Sequence, residues 1–302
     1  MLKKNQEFEL TIEDLGNDGE GIGHLPVSSE GEELPASASG GMIIFVKDAV
    51  PKDRVRVRIL KVKKNCAYGR VMELLSPSPD RVEAACPWAK RCGGCSLQHL
   101  SYEAQLVYKW NKVKSCLERI GGILDAAALM EPIIGMFTEK EKSALDNPLI
   151  SANICENGHW RYRNKSQFPV GCDGKGDAVT GFYASRSHDI VPVTFCGIQT
   201  AVSDDIIGKL QAFMRRYRIP VYDEKTHQGL VRHILIRVGF VTGELMVCLI
   251  VNGEELPHAD AWVEMLKNIP GMTSICLNVN REKTNRILGD RCITLWGQDY
   301  IP

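Results

Sequence analysis

Alternation of apolar and polar residues is the clearest pattern in the first quarter of the chain. Between Arg54 and Ile59 every second residue is valine or isoleucine, and each residue between them is arginine. Short β-rich runs with glycines and turn residues between them fill residues 7–75: FELTIEDL, MIIFVKDA, DRVRVRILKVKK and YGRVMELL. This pattern predicts a small OB-like β-barrel with the aliphatic side chains inside and a cationic row outside.

Helical spacing of apolar residues begins farther along the chain. A stripe from Tyr102 to Ile120 predicts a helix that is capped by Ser101 and ended by Gly121–Gly122. The later elements are predicted as a helix at 203–218, a hairpin of strands 231–240 and 244–251, a helix at 257–268, and strands at 273–279 and 292–297. The predicted fold class is therefore β-rich α+β.

Breaks in these patterns predict the domain organisation. The run SPSPD at residues 76–80 is a predicted linker between a barrel domain, residues 1–77, and an α+β domain, residues 78–302. Two polar stretches without periodicity, residues 27–39 and 138–158, are predicted loops.

Composition narrows the function classes. The chain has 302 residues, is 44% hydrophobic and has a net charge of zero, so any nucleic-acid surface must be local rather than global. No apolar run predicts a signal peptide or a transmembrane helix, so we expect a cytoplasmic monomer without a membrane partner. In a reducing compartment, clustered thiols are more often metal ligands than disulfides, and the chain has 11 cysteines.

A loop with three cysteines carries the most specific chemistry in the sequence. In CPWAKRCGGC, residues 86–95, Cys86, Cys92 and Cys95 have the spacing C-x5-C-x2-C. A closed iron–sulfur or zinc site needs a fourth ligand, which must come from elsewhere in the chain. Cys172 and Cys196 both follow predicted strands, and spacing alone does not choose between them.

Two basic stretches are candidate RNA-binding surfaces. One is the strand row Arg54, Arg56, Arg58 and Lys61. The other is a predicted strand in HWRYRNKSQFPVG, residues 159–171, with Arg161, Arg163, Asn164 and Lys165. Cations contact phosphates and neighbouring aromatic rings stack on bases, although both stretches also fit ordinary solvated strand faces.

Four stretches together resemble one family. They are the barrel with FVKDAVPKDRV, the loop CPWAKRCGGCSLQHLSYEAQ, the pair YRNKSQFPVG and GFYASRSHDIV, and FCGIQ. In these the chain resembles the bacterial RNA (uracil-5-)-methyltransferases with an N-terminal TRAM domain. The resemblance implies a [4Fe–4S] cluster on Cys86, Cys92, Cys95 and Cys196, and RNA, more specifically 23S ribosomal RNA, as the partner.

The same resemblance predicts that this chain lacks the family's catalytic domain. Members of that family continue into a Rossmann-like domain that binds S-adenosylmethionine and supplies a nucleophilic cysteine, and no strand–glycine-rich turn–helix unit is present in this sequence. We therefore assign no catalytic and no cofactor-binding residue, and expect the chain to bind RNA without binding S-adenosylmethionine or transferring methyl groups. The alternative is an iron–sulfur redox module with incidental RNA binding.

Overall fold

The structure is a computed structural model, and it describes residues 2–25, 41–136, 160–185 and 187–302. The predicted loops at 27–39 and 138–158 lie outside the described residues. The chain divides into two compact units. The first consists of Met1–Lys90 and Cys95–Gly135, and the second of Arg91–Gly94 and Met136–Pro302. The predicted domain boundary after residue 77 remains a prediction.

A six-stranded mixed sheet forms the first unit. Its strands are β1 (Glu7–Thr11), β2 (Asp14–Leu15), β3 (Gly21–Leu25), β4 (Met42–Lys47), β5 (Arg54–Val62) and β6 (Cys66–Ser76). The spatial order is β1-β5-β6-β4-β3-β2. The pair β4–β6 is parallel and the other pairs are antiparallel. Val55, Val57 and Ile59 are fully buried in the core of this unit, so the predicted alternation along β5 is confirmed.

A buried carboxylate ties the segment after β6 to the sheet. Asp53 accepts hydrogen bonds from the amides of Val50 (2.8 Å) and Ser78 (2.9 Å) and from the guanidinium of Arg81. Burial acts to raise the pKa of Asp53, but the bond from Arg81 and the two amide bonds outweigh it, so this pKa lies below its usual value. The predicted linker is therefore held by specific hydrogen bonds.

Two helices follow within the first unit. They are α1 (Tyr102–Arg119) and α2 (Ala126–Leu129). The Ser101 hydroxyl accepts a hydrogen bond from the amide of Ala104, so the predicted N-cap is confirmed. The Tyr108 hydroxyl donates to the carbonyl of Gly16 at 2.8 Å, which fastens α1 to the turn after β2.

The second unit is organised around a seven-stranded mixed sheet. Its strands are β7 (Lys165–Cys172), β8 (Ala178–Tyr183), β9 (Ile190–Pro192), β10 (Val231–Val238), β11 (Leu245–Val251), β12 (Met272–Val279) and β13 (Arg291–Gly297). The spatial order is β13-β12-β11-β10-β7-β8-β9. The predicted hairpin is the antiparallel pair β10–β11, and β11 is a buried interior strand, as its apolar sequence indicates.

Two amphipathic helices pack on elements of this sheet. They are α3 (Ala201–Tyr217), which contacts β8, and α4 (Ala259–Leu266), which connects the parallel strands β11 and β12. The buried rings of Phe213 and Trp262 lie 5.3 Å apart between the two helices. Each helix therefore contributes one apolar face to the core of the unit.

Two predictions are corrected by these elements. The predicted fold class was an OB-like barrel followed by an α+β domain, whereas each unit, in the residues that the structure describes, is organised around one mixed sheet that contains one parallel strand pair. The predicted strand at 159–171 begins only at Lys165. Arg161 has a left-handed backbone (φ 56°), and its amide bonds to the carbonyl of Gly197 instead of a sheet partner.

Candidate nucleic-acid interface

The predicted cationic row on β5 is compensated by carboxylates. Arg54 lies 2.9 Å from Glu9, Arg56 lies 2.6 Å from Glu73, and Arg58 lies 2.6 Å from Glu7. Glu7 and Glu9 come from the paired strand β1, and Glu73 comes from β6. A phosphate would have to compete with these partners, so the row offers less positive charge than its sequence suggests.

Beside this row, the strands β4 and β6 present an aromatic pair. Phe45 and Tyr68 are opposite each other in the parallel ladder, with ring centroids 5.5 Å apart in a stacked arrangement. Their neighbours Ile44 and Ala67 are fully buried, so alternation places both rings on the outer side of the sheet. Lys61 is the partner of Tyr68 on β5.

Cations surround the two rings. The Nζ of Lys63 lies 5.0 Å from the centroid of the Tyr68 ring and donates to its hydroxyl at 3.4 Å. Two residues farther along each strand, Lys47 and Arg70 are opposite each other in the same ladder and both are exposed. Among the described residues, no carboxylate forms an ion pair with Lys47, Lys61 or Arg70.

We call this surface the ring–cation surface, and its members are Phe45, Lys47, Lys61, Lys63, Tyr68 and Arg70. The predicted basic strand from Arg54 to Lys64 included Lys61 and Lys63, but sequence reasoning missed the other four. Their signal is the alternation within FVK and YGR, which places Phe45 with Lys47 and Tyr68 with Arg70. The parallel pairing that brings the two runs together is a tertiary feature and has no local signature.

Arg161 lies inside the second unit, not on a basic surface. Its Nη1 donates to the carbonyls of Cys196 (3.0 Å) and Gln199 (2.9 Å) and to the carboxylate of Asp204 (2.6 Å). Asp204 in turn accepts from the amide of Cys196 at 2.9 Å. Burial raises the pKa of Asp204, while Arg161 acts in the opposite direction. This network fixes the segment that contains Cys196.

The next three residues of the predicted RNA-binding stretch are exposed. Arg163 and Asn164 immediately precede β7, and Lys165 is its first residue; the carbonyl of Asn164 accepts a hydrogen bond from the amide of Val238. The preceding Tyr162 is 43% exposed. These side chains are accessible to a partner, in contrast to that of Arg161.

The four cysteines that were predicted as ligands fall in different units. Cys86 and Cys95 belong to the first unit, while Cys92 and Cys196 belong to the second. Cys92 forms an isolated bridge with Ala184, beside a hydrogen bond of 2.9 Å from the Gly93 amide to the Tyr183 carbonyl. Within the described ranges, which include all four cysteines, no three His, Cys, Asp or Glu residues are arranged to hold a metal ion. The structure therefore does not support the predicted iron–sulfur cluster or the redox alternative that depends on it.

A polar cluster lies where β8 ends. Glu224 accepts a hydrogen bond from the Tyr183 hydroxyl at 3.2 Å and lies 3.1 Å from the Nδ1 of His188. Burial and the nearby carboxylate raise the pKa of Tyr183 to about 12, so its phenol is protonated at neutral pH. Burial and the neighbouring Arg232 lower the pKa of His233 to about 4, which keeps that imidazole neutral. Neither group is poised to transfer a proton near pH 7.

Known proteins resemble this chain along nearly all of its length. Residues 2–72 match the TRAM domain family. An uncharacterized RNA methyltransferase from Halalkalibacterium halodurans is 42% identical over 99% of the chain, and another from Clostridium acetobutylicum is 39% identical over the same share. In both cases the chain spans 58% of the relative's length.

One solved structure is also similar. It is the Pyrococcus abyssi tRNA (uracil-54, C5)-methyltransferase in complex with S-adenosyl-L-homocysteine, with a TM-score of 0.60 and 25% identity. The similarity covers 97% of this chain and 56% of that one. The chain thus carries a TRAM domain and has RNA methyltransferases as homologues. Of the described helices, none is long and apolar enough to cross a membrane.

The predicted absence of a methyltransferase domain is wrong. The relatives are RNA methyltransferases that match 99% of this sequence while extending beyond it, and the structural neighbour is a tRNA uracil methyltransferase. A sequence that spans only part of its relatives gives no ground for concluding that the protein lacks a domain. The expected lack of activity accordingly has no support.

Proposed function

We propose that this chain recognises RNA for methylation of a uridine at C5, and that the whole protein uses S-adenosylmethionine as the methyl donor. The names of the relatives support the reaction class, and the S-adenosyl-L-homocysteine complex of the structural neighbour supports the donor. Within this chain, we assign RNA recognition to named surfaces and assign no catalytic step.

The ring–cation surface carries the proposal. Unpaired bases stack on aromatic rings, and cations beside the rings neutralise the phosphates that connect the bases. The stacked pair Phe45–Tyr68 supplies the rings, and Lys61, Lys47 and Arg70 supply the charge on the same side of the sheet. This combination favours single-stranded RNA, because bases within a duplex are not accessible for stacking.

A pair of arginine variants tests this assignment. We expect Arg70→Gln to weaken the binding of a fluorescein-labelled, single-stranded uridine-containing RNA, measured by fluorescence anisotropy. Arg54→Gln, which removes an arginine already paired with Glu9, is the matched control and should have the smaller effect. Equal effects of the two variants would contradict the argument from charge pairing.

A tyrosine variant tests stacking separately. Tyr68→Ala should cost about 1–3 kcal/mol of RNA binding, which is the usual contribution of one stacked base. Tyr300→Ala removes an exposed tyrosine from the second unit and serves as the control. Unchanged affinity in Tyr68→Ala would show that the rings do not contact bases.

We further propose that the RNA is ribosomal, specifically 23S ribosomal RNA. The support is the sequence resemblance to TRAM-containing methyltransferases, whereas the structural neighbour is named for transfer RNA. Competition between an unmodified 23S ribosomal RNA fragment and an unmodified transfer RNA decides between them. Tighter binding of the transfer RNA would reject the ribosomal assignment and leave RNA recognition intact.

The [4Fe–4S] cluster on Cys86, Cys92, Cys95 and Cys196 is a proposal that rests on spacing and resemblance alone. Among the described residues, no three His, Cys, Asp or Glu side chains are arranged to hold a metal ion. The proposed RNA recognition is therefore argued without the cluster. Iron and sulfide analysis of anaerobically purified protein tests it. Cys196→Ser should lose iron, and Cys172→Ser is the matched control. Protein without iron, or with zinc instead, would exclude the cluster.

A further inference from the structure

Two cations face each other across the central strands of the second unit. Lys165 on β7 and Arg237 on β10 are directly opposite in the antiparallel ladder. Opposite residues in such a ladder have Cβ atoms about 4.5–5.5 Å apart, and like charges at this distance destabilise the pair. An anion bound between the two side chains would therefore relieve their repulsion.

Alternation directs both side chains to the same side of the sheet. Ser166, Ile236 and Val238 are buried, whereas Lys165 and Arg237 are exposed. Within β10, all of whose residues the structure describes, Arg237 is the single exposed position. A charged residue there is accommodated because it reaches solvent.

The residues paired with Arg237 and Lys165 in the ladder do not supply an anion, and Glu244, just before β11, forms no ion pair with either cation among the described residues. Arg237 is opposite Met246 on its other side, and the next pair on the same side of the sheet is Leu235 with Gln167. All three of these neighbours are uncharged. Among the residues that the structure describes, no carboxylate forms an ion pair with Lys165 or Arg237, although each arginine of β5 has one. The positive charges on β5 are thus neutralised by neighbouring carboxylates, whereas those of Lys165 and Arg237 are not.

We propose that Lys165 and Arg237 form a phosphate-binding pair, and that Arg237 is an RNA contact in addition to Arg163, Asn164 and Lys165. Two cationic side chains on adjacent strands can approach one backbone phosphate from two sides, which converts their mutual repulsion into a shared attraction. This inference rests on the proposed RNA recognition. It assigns a backbone contact, so Arg237 contributes affinity and no base preference.

The salt dependence of RNA binding tests the pair. The probe is the fluorescein-labelled single-stranded RNA, and the proteins are the wild type, Arg237→Gln and the control Arg215→Gln. Arg215 is an exposed arginine of α3, 3.8 Å from Asp177. For a single-stranded probe, each phosphate contact contributes a salt exponent of about −0.7, so losing one should weaken binding about 5-fold at 0.1 M salt. The slope of log affinity against log salt should fall by the same exponent.

Three results separate the possible failures. A weaker affinity and a flatter slope in Arg237→Gln but not in Arg215→Gln support the pair. Wild-type binding with no change in Arg237→Gln overturns this inference and leaves the proposed function standing. A wild type that binds no RNA overturns both. Arg237→Lys keeps the charge and should retain most of the affinity, so a loss as large as in Arg237→Gln would also overturn a purely electrostatic contact.

Discussion

Removing the buried charge of Asp53 should markedly lower the denaturant concentration at which the first unit unfolds. The Asp53 side chain is fully buried, and that of its partner Arg81 is 20% exposed. Breaking a buried ion pair by removing one partner costs about 3–5 kcal/mol. Because part of the guanidinium can regain water, we expect the lower end, about 3 kcal/mol, for Asp53→Asn.

The variant changes charge and hydrogen bonding with little change of shape. Asp53 accepts hydrogen bonds from Val50, Ser78 and Arg81. An asparagine keeps one acceptor oxygen, but its amide NH2 group is a donor and would face the donors that the second carboxylate oxygen now accepts from. Urea unfolding followed by tryptophan fluorescence measures the effect. With a slope of about 2 kcal/mol per molar urea, a loss of about 3 kcal/mol moves the midpoint by roughly 1.5 M.

The pH dependence gives an independent check of the sign. The pKa of Asp53 is lowered in the folded state, so its contribution to stability is present above the unfolded-state pKa of about 3.9 and is lost as the pH falls through the folded-state pKa. The difference between the wild type and Asp53→Asn should therefore be largest near pH 7 and shrink below about pH 4.

An exposed ion pair provides the control. Asp80 lies 2.9 Å from Lys52, with both side chains more than a third exposed, so Asp80→Asn should cost less than about 1 kcal/mol. A loss in Asp53→Asn no larger than in Asp80→Asn, or one that persists unchanged at pH 3, would refute the assignment of stability to this buried charge.

The remaining predictions concern single side chains. Arg161→Ala should destabilise the second unit by about 2–3 kcal/mol in thermal unfolding, because the carbonyl of Cys196 and the carboxylate of Asp204 lose a buried charged donor. The same variant should leave the salt slope of RNA binding, measured by anisotropy, unchanged. A flattened slope would place Arg161 on RNA. Trp262→Ala should cost about 3–5 kcal/mol in urea unfolding, because a fully buried side chain leaves a cavity. Ser101→Ala should cost about 1 kcal/mol by removing the cap of α1, and no change would show that the cap is dispensable.

Local patterns in the sequence predicted the elements because they depend on residues close in the chain. The alternation along Val55 and Val57 and the apolar run of β11 both appear in the structure as buried strand positions. The cap at Ser101 has the same local origin, since its hydroxyl bonds an amide three residues later. Such features need no knowledge of the rest of the chain.

Pairing between distant strands could not be predicted in the same way. Phe45 and Tyr68 are adjacent only because β5 lies on the far side of β6, which leaves β4 and β6 parallel. The left-handed backbone of Arg161 has no local signal either, because glycine, asparagine and aspartate are the residues that usually indicate that conformation. Sequence reasoning therefore placed Arg161 on an extended strand and missed its partner Asp204.

Charge pairing within each unit also explains how a chain of zero net charge could bind a polyanion. Where carboxylates lie next to arginines, as along β5, the local field largely cancels, and an incoming phosphate gains little because it must displace an existing partner. Where two cations are opposite each other and no carboxylate among the described residues pairs with them, as at Lys47–Arg70 and Lys165–Arg237, the field persists despite the overall balance. The cations that determine RNA binding in this protein are consequently those without a carboxylate partner in the fold. A substitution that adds a carboxylate beside such a pair should weaken RNA binding more than one that removes a cation already paired with a carboxylate.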